Sequence, residues 1–288
     1  MANLKEIKRR IQSVKNTQQI TKAMKLVAAS KLRKAQEAIL DARPYAIKMM
    51  DVINHLAARC NSDLHPLLDD REGKRTLLLI ITSDKGLCGG FNGSIIRKTA
   101  QYLKDNDQDE NSLIVAGKKG NDIFCNRPVT IVEDLVGWTK DFDYLKGQAI
   151  GENLANMFME NKIDKVLVIY NEFKSVMQQE VIVEQLLPVV PEKMEQDKDS
   201  VTVDYIYEPD EETILNELLK RYIAVEVYRA FLESSASEHG ARMTAMDSAS
   251  RNAGEMIDGL TLTYNKARQA YITKELIEIV NGAEALKG

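Results

Sequence analysis

The stretch of this chain whose residue types could do chemistry is SDKGLCGGFNG, from Ser83 to Gly93. Its glycines follow an apolar run, so their backbone N–H groups could face a phosphate at a helix N-terminus, with Cys88 beside them as a nucleophile. Neither role finds its usual companions. There is no GK(S/T) ending of a P-loop and no GxGxxG dinucleotide fingerprint. The three histidines, His55, His65 and His239, all lie outside the region that reads as sheet, so no general base is at hand. A glycine-rich strand-to-helix turn is therefore expected here for steric reasons. AGKKG, from Ala116 to Gly120, is read the same way, with its lysines solvated. The three cysteines, Cys60, Cys88 and Cys125, show neither metal-ligand spacing nor an even framework, which fits a reducing compartment. No catalytic, cofactor-binding or metal-binding residue is assigned.

Charge says more than these loops. From Met1 to Leu40 the basic residues Lys5, Lys8, Arg9, Arg10, Lys15, Lys22, Lys25, Lys31, Arg33 and Lys34 face only Glu6 and Glu37, whereas Glu208 to Glu238 is mainly acidic. Two solvated faces that attract each other account for part of this. The basic excess leaves an acidic partner surface open, either nucleic-acid phosphate or carboxylate-rich protein. Few aromatics are interleaved, so base stacking has no support. The formal charge of -4 over 288 residues argues against a nucleic-acid protein overall, and 44% hydrophobic content allows the chain a core of its own. The start MANLKEIKRR has no apolar core segment, and the longest strongly apolar run, Leu77 to Ile81, is too short to cross a bilayer.

The elements that must carry these groups begin with a heptad seam. Steps of four and three give Leu218, Tyr222, Val225, Arg229, Leu232, Ala236, His239, Met243, Met246, Ser250, Ala253, Ile257, Leu260, Tyr264, Ala267 and Tyr271. No proline interrupts the chain after Asp210, which allows a helix roughly 110 Å long. At the other end, Ala2 to Asn54 has no glycine and one proline, Pro44. Its stripe runs Leu4, Ile7, Ile11, Val14, then Ile20, Met24, Val27 after a phase slip over the polar Lys15 to Gln19, then Ala28, Leu32, Ala35, Ile39 and Ala42. The two helices are expected to bury their stripes on each other as an antiparallel pair. The shorter one ends first, leaving Arg268 to Leu286 as a lone helix with Tyr271, Ile272, Leu276, Ile277, Ile279, Val280 and Leu286. Such a helix must fold back or find a sleeve.

Between the helices the period changes. Thr76 to Thr82, Ser112 to Ala116, Val129 to Val132 and Lys165 to Tyr170 read as buried strands, with helices at Gly93 to Lys104 and Tyr144 to Asn161 between them. That alternation predicts a parallel sheet covered on both faces, with a later β pair at Glu180 to Leu186 and Val201 to Tyr207. The fold class is α/β: a long antiparallel coiled coil with an inserted Rossmann-like domain. The expected divisions are an N-terminal helix over 1–58, the α/β domain over 70–208 and the C-terminal helix with its tail over 209–288. Two rivals to a coiled-coil interaction protein follow: a nucleic-acid binder using the basic helix, and a small-molecule enzyme using Cys88.

Four stretches bring a family into view: ITKAMKLVAASKLRKAQ (Ile20 to Gln36), SDKGLCGGFN (Ser83 to Asn92), YIYEPD (Tyr205 to Asp210) and YNKARQAYITKELIEIVNGAEAL (Tyr264 to Leu286). Together they resemble the gamma subunit of rotary F-type ATP synthase, over nearly the whole chain. The resemblance implies a non-catalytic central shaft, with its C-terminal helix in a sleeve of alpha and beta subunits and its α/β domain beside the membrane c-ring. An epsilon subunit is a further partner; nucleic acid is not. It implies a peripheral position on the cytoplasmic face of a bacterial cell membrane. By the same resemblance Arg268, Gln269, Thr273 and Glu275 are expected to contact beta-subunit loops, and Met24 and Arg242 to meet the moving beta-subunit lever. Lys22, Lys25, Lys31 and Arg33 would face acidic protein, and Tyr207 and Glu208 would form the ring-facing foot. The cysteine-bearing regulatory loop of chloroplast members has no counterpart here, so thiol control is not expected.

Overall fold

In the computed structural model, residues 4–59, 65–71, 73–140, 142–190 and 211–285 are described. Helix α1 (Leu4–Arg59) is followed by β1 (Arg75–Ile81), α2 (Phe91–Asp105), β2 (Glu110–Ala116), α3 (Lys118–Phe124), β3 (Thr130–Leu135), α4 (Tyr144–Met159), β4 (Lys165–Phe173), β5 (Gln179–Leu187) and α5 (Glu211–Ala285). The strand expected at Val201 to Tyr207 lies outside the described residues. The chain divides into two compact units. One joins α1 up to Ala28 with α5 from Met243, and the other runs from Ala29 to Arg242.

The larger unit is built on a five-stranded sheet of order β3-β2-β1-β4-β5. Strands β1 to β4 are parallel, with Ile80 opposite both Val115 and Ile169. The first strand of the expected later pair joins this sheet. β5 runs antiparallel along β4, with Tyr170 opposite Ile182. The central strand reads as an unbroken apolar run because both its faces are covered. Leu77, Leu79 and Ile81 pack on one side with Met49, Ile53 and Leu56 of α1, Leu154 and Phe158 of α4, and Leu219 and Phe231 of α5. Leu78 and Ile80 pack on the other with Phe91 and Ile95 of α2 and Phe124 of α3. Leu77 to Ile81 are fully buried, which contributes about 1.5–3 kcal/mol for each side chain. Helix α3 was not anticipated; at seven residues it gives too short a periodic signal to separate from the loop before it.

The stripe on α1 differs from expectation. In the smaller unit the covered seam of α1 runs through Leu4, Ile7, Ile11, Val14, Gln18, Thr21, Lys25 and Ala28, an unbroken alternation of three and four, with Met24 half-buried beside it. There is no phase slip. Ile20 and Val27, assigned to the seam from their apolarity, are 60% and 58% exposed. The seam keeps phase through polar residues because those residues are satisfied across it. Gln18 Nε2 donates to the Ser250 carbonyl at 3.2 Å, and Lys25 Nζ lies 2.6 Å from Asp247. These pairs ascend α5 as they descend α1, so the helices are antiparallel. On α5 the seam positions Met246, Ser250 and Ala253 are buried and Ile257, Leu260, Tyr264 and Ala267 half-buried. Every residue from Arg268 to Ala285 is exposed. The same four-three rule continues within the larger unit, where Leu32, Ala35 and Ile39 of α1 pack on Ala236 and Leu232 of α5.

Candidate functional site

An open parallel sheet offers a ligand the crevice beyond its strand ends, at the point where strand order reverses. Here that point lies between β1 and β4, beneath the Ser83–Gly93 loop. The crevice is filled by the chain itself. Ser234 of α5 approaches the Ile81 carbonyl at 3.4 Å, and Ser237 Oγ donates to the Asn171 carbonyl at 3.0 Å. Thr82 Oγ1 donates to the Ala116 carbonyl and accepts from Gly120 N–H, while the Thr82 carbonyl accepts from Trp138 Nε1 at 2.8 Å. The Trp138 ring stands edge-on to Phe231 of α5, with centroids 4.9 Å apart.

The loop is tied down at both ends. Asn92 Oδ1 accepts from Ser83 N–H at 2.9 Å, and Asn92 Nδ2 lies 3.3 Å from Cys88 Sγ. Cys88 is 2% exposed and its thiol is pushed up by burial, against the lowering influence of Ser83 and Arg242. A buried thiol held above its usual range is not a poised nucleophile. Asp84 accepts from the N–H groups of Lys118, Gly137 and Thr139 and from the Thr139 hydroxyl at 2.7 Å. Burial alone would raise the Asp84 carboxyl, but the hydrogen bonds from Thr139, Gly137 and Lys118 outweigh it and hold the group below the usual carboxylate range. Steric need explains only part of the glycine content. Gly89 has φ +56°, but a side chain at Gly86, Gly90 or Gly93 would meet open space. The structure gives no internal reason for those three glycines.

Helix α5 brings charge into this packing. Glu238 is 4% exposed and pairs with Arg242 at 2.6 Å, four residues along the helix. The Arg242 guanidinium also donates to the carbonyls of Lys85 and Gly86, so it fastens the loop to α5. Burial pushes the Glu238 carboxyl up despite that partner. His239 is lowered to about 4, first by burial and then by the positive charges of Arg242 and Lys31. Further back on α5, Arg229 reaches Glu184 and Glu226, and Glu233 accepts from Phe173 N–H at 3.0 Å.

The residues singled out from sequence fall into three settings. Lys22, Lys31 and Arg33 are exposed on α1, Met24 and Lys25 are half-buried, and Arg33 pairs with Glu37 one turn on. Arg242 is buried, with its guanidinium engaged inside its own unit. Arg268, Gln269, Thr273 and Glu275 stand on the exposed end of α5, together with Tyr271, Ile272, Leu276, Ile277, Ile279 and Val280, each 47–67% exposed. The Glu275 carboxylate raises the neighbouring Tyr271 hydroxyl through a hydrogen bond. Tyr207 and Glu208 lie outside the described residues. Sequence reasoning missed Asp84, whose partners come from loops remote in the chain. It also missed Glu238, although its spacing to Arg242 is the signature of a helical ion pair.

A Rossmann-like sheet with its crest closed by a helix of the same chain, together with a coiled-coil helix whose last turns stand bare, defines the class: an α/β domain inserted between the strands of an antiparallel coiled coil. The chain belongs to the ATP synthase family, whose model matches residues 3–286. It is 50% identical to the ATP synthase gamma chain of Geobacter sp. (strain M21) and 46% identical to that of Moorella thermoacetica, over 100% of each chain. Among solved structures, the central stalk and c-ring of Tetrahymena thermophila mitochondrial ATP synthase contains a chain 31% identical, with a TM-score of 0.62 over 80% of this chain and 99% of that one. A chain of the Euglena gracilis mitochondrial ATP synthase assembly of OSCP, F1 and c-ring shares the fold at 20% identity, with a TM-score of 0.70 over 98% of this chain and 94% of that one.

Proposed function

We propose that this chain is the gamma subunit of an F-type ATP synthase, the central rotor shaft that links proton-driven rotation of a c-ring to ATP synthesis and release at alpha and beta subunit sites. The observation that carries this reading is the bare end of α5. Six large apolar side chains between Tyr271 and Val280 are exposed on one lone helix, and such a surface requires a partner. A sleeve of alpha and beta subunits supplies one. In this role the chain performs no covalent chemistry itself. A shaft biases distant sites only if its contacts differ in free energy between orientations, which an asymmetric helix pair provides.

Arg268, Gln269, Thr273 and Glu275 then serve as polar contacts around an apolar bearing, and their exposure supports this. Lys22, Lys31 and Arg33 offer positive charge to acidic loops, with Lys25 and Met24 at the edge of the seam. The buried Arg242 contributes through the loop it fastens, and Tyr207 and Glu208 are assigned to the ring-facing foot. The divisions at 1–58, 70–208 and 209–288 separate the basic strand, the foot domain and the strand entering the sleeve. The chain sits peripherally at the cytoplasmic face of a bacterial membrane; no helix among the described residues is long and apolar enough to cross one. A nucleic-acid role for the basic helix is not favoured, given full-length relatives named ATP synthase gamma chain.

The test is recovery of a tagged chain from its native membranes. Co-recovery of an alpha–beta assembly that hydrolyses ATP, with that activity altered when the chain is stripped away, is expected. Recovery of the chain alone or with nucleic acid would overturn the proposal.

A further inference from the structure

Helix α4 lies close against α5 because two of its residues are glycines. A Cβ at Gly151 would stand 2.9 Å from the Ala224 Cα, and one at Gly147 would stand 3.1 Å from the Tyr228 Cβ. Helix α1 meets the same core through Ala46, Met49 and Ile53. Between α1 and α4 these two approaches leave a cleft of about 710 Å³ along α5, inside the larger unit. That size suits a small molecule. Val225 is its buried floor, and Ala38 and Ala42, about one turn apart, leave room along the α1 wall. Three tyrosines, Tyr45, Tyr144 and Tyr228, close it. The Tyr228 ring stacks on Phe142 with centroids 6.2 Å apart and meets Tyr144 edge-on at 5.8 Å, so this side is preformed. Burial pushes the Tyr144 hydroxyl up, Tyr45 adds to this and Arg221 opposes it, which places the three groups around one space. Among the described residues no hydrogen bond satisfies these phenols, and neither Arg221 nor Asp41, which also line the cleft, has an ion-pair partner.

We propose that the cleft between α1 and α4 is a binding site for a flat aromatic acid, its ring against the three tyrosines and its anionic group on Arg221. Each part follows from the lining. Aromatic side chains favour a flat ring in stacked or edge-on contact. A guanidinium with no partner of its own matches the paired oxygens of a carboxylate or sulfonate. At Arg221 the cleft opens into a second hollow of about 380 Å³, where Lys220 adds positive charge but Glu152 and Glu217 also stand. Those two carboxylates would repel a polyphosphate, so the acid is a small, singly charged one. Asp41, on the α1 wall, favours an amine or hydroxyl donor elsewhere on the ring.

The test is calorimetric titration of the full-length chain with an aminonaphthalene sulfonate, which carries acid and donor on one flat body. Saturable binding at one site below about 1 mM is expected. The uncharged sulfonamide should bind at least about tenfold more weakly, as should the sulfonate to Arg221→Gln. Ala42→Trp fills the cleft and should abolish binding; Ala38→Trp repeats that test from one turn away. Arg221 is exposed and the two alanines are half-buried, so melting temperatures should be kept. Emission of Trp138, the single tryptophan, should change along the same isotherm in the unaltered chain, because its ring meets Phe142 in the same aromatic stack. No saturable binding, an equal constant for the sulfonamide, or an unchanged constant in Arg221→Gln or in a folded tryptophan variant would overturn the site. An unchanged constant would place the probe on exposed apolar side chains such as those of the tail. The titration needs no alpha–beta assembly and rests on the cleft alone, so its failure and failure of the shaft reading are separately visible.

Discussion

Two stretches of one helix, α5, follow the same heptad rule and meet opposite environments. Over Leu215 to Arg242 the helix is covered on two sides. Its seam residues Leu232 and Ala236 face α1, while Leu219, Ile223, Ala230, Ser234, Ser237 and Ala241 form a second buried stripe over the sheet and its crest. Over Arg251 to Ala267 only one stripe is covered, and beyond Ala267 none is. A heptad therefore tells which side of a helix is apolar, but not how many neighbours it has. The neighbours are written in the residues off the seam: small and uncharged where a sheet approaches, long and charged where water does. Charge separates the stretches too. Glu238 and Arg242 are desolvated together, whereas Lys25 and Asp247 remain 42% and 37% exposed in their side chains.

The largest break in this contrast comes from removing one partner of the buried pair. Arg242→Ala leaves Glu238 without its countercharge and releases the Lys85 and Gly86 carbonyls, so a loss of about 3–5 kcal/mol at neutral pH is expected from urea unfolding. Adding Glu238→Gln should restore a large part of it, because the uncompensated charge is then gone. Lys25→Ala, by contrast, should cost only a small fraction of that, and less still in high salt. Equal losses at the two sites would erase the distinction between the stretches.

A smaller effect is expected at Asp84, which holds the loops over the crest. Asp84→Asn removes charge-assisted acceptance from Lys118, Gly137 and Thr139, and the loss at neutral pH should be about 1.5–3 kcal/mol. The sign with pH follows from the lowered carboxyl. A group whose folded pKa lies below its unfolded one contributes fully above the ordinary carboxylate value, and that contribution disappears as pH falls through the folded value. The difference in urea midpoint between the native chain and Asp84→Asn should therefore be widest near neutrality and narrow as pH falls below the ordinary carboxylate range. A gap independent of pH would mean that the carboxylate charge has no part in holding the loops.

Most of the architecture was legible because long periods and buried runs leave strong traces. The apolar run Leu77 to Ile81 marked the central strand, and the seam from Leu218 to Ala267 marked α5 and its direction of pairing. What escaped depends on contacts between residues far apart in the chain. Apolarity alone drew Ile20 and Val27 into the seam, where Thr21 and Lys25 belong, because satisfaction of Gln18 and Lys25 by α5 cannot be seen from α1. The second stripe of α5 was present in the spacing of Leu219, Ile223, Ala230, Ser234 and Ser237, but two serines do not read as buried until the Ile81 and Asn171 carbonyls are placed against them. Of the candidate site, the bare tail could be read from length alone, since α1 runs out first. The closure of the crest could not, as it rests on Asp84, Asn92 and Arg242 meeting through three loops and a helix.

The smallest effect on stability, and the sharpest on the reading of the tail, is expected from ending the chain after Ala267. Each residue removed up to Ala285 is exposed, and an ion pair in that stretch, Lys274 with Glu278, joins two residues of the same helix. No packing among the described residues is lost, so thermal unfolding of the isolated chain should change by less than about 0.5 kcal/mol. Exposure of Tyr271, Ile272, Leu276, Ile277, Ile279 and Val280 would end as well, and the shortened chain should be the more soluble of the two. Mixed with alpha and beta subunits, it should assemble more weakly, because apolar area otherwise covered by the sleeve is missing. A clear drop in the melting temperature would show instead that these turns pack on their own chain, and the contrast between the covered and the bare stretches of α5 would fail. Unchanged stability with weaker assembly would assign the apolar content of the tail to its partners alone.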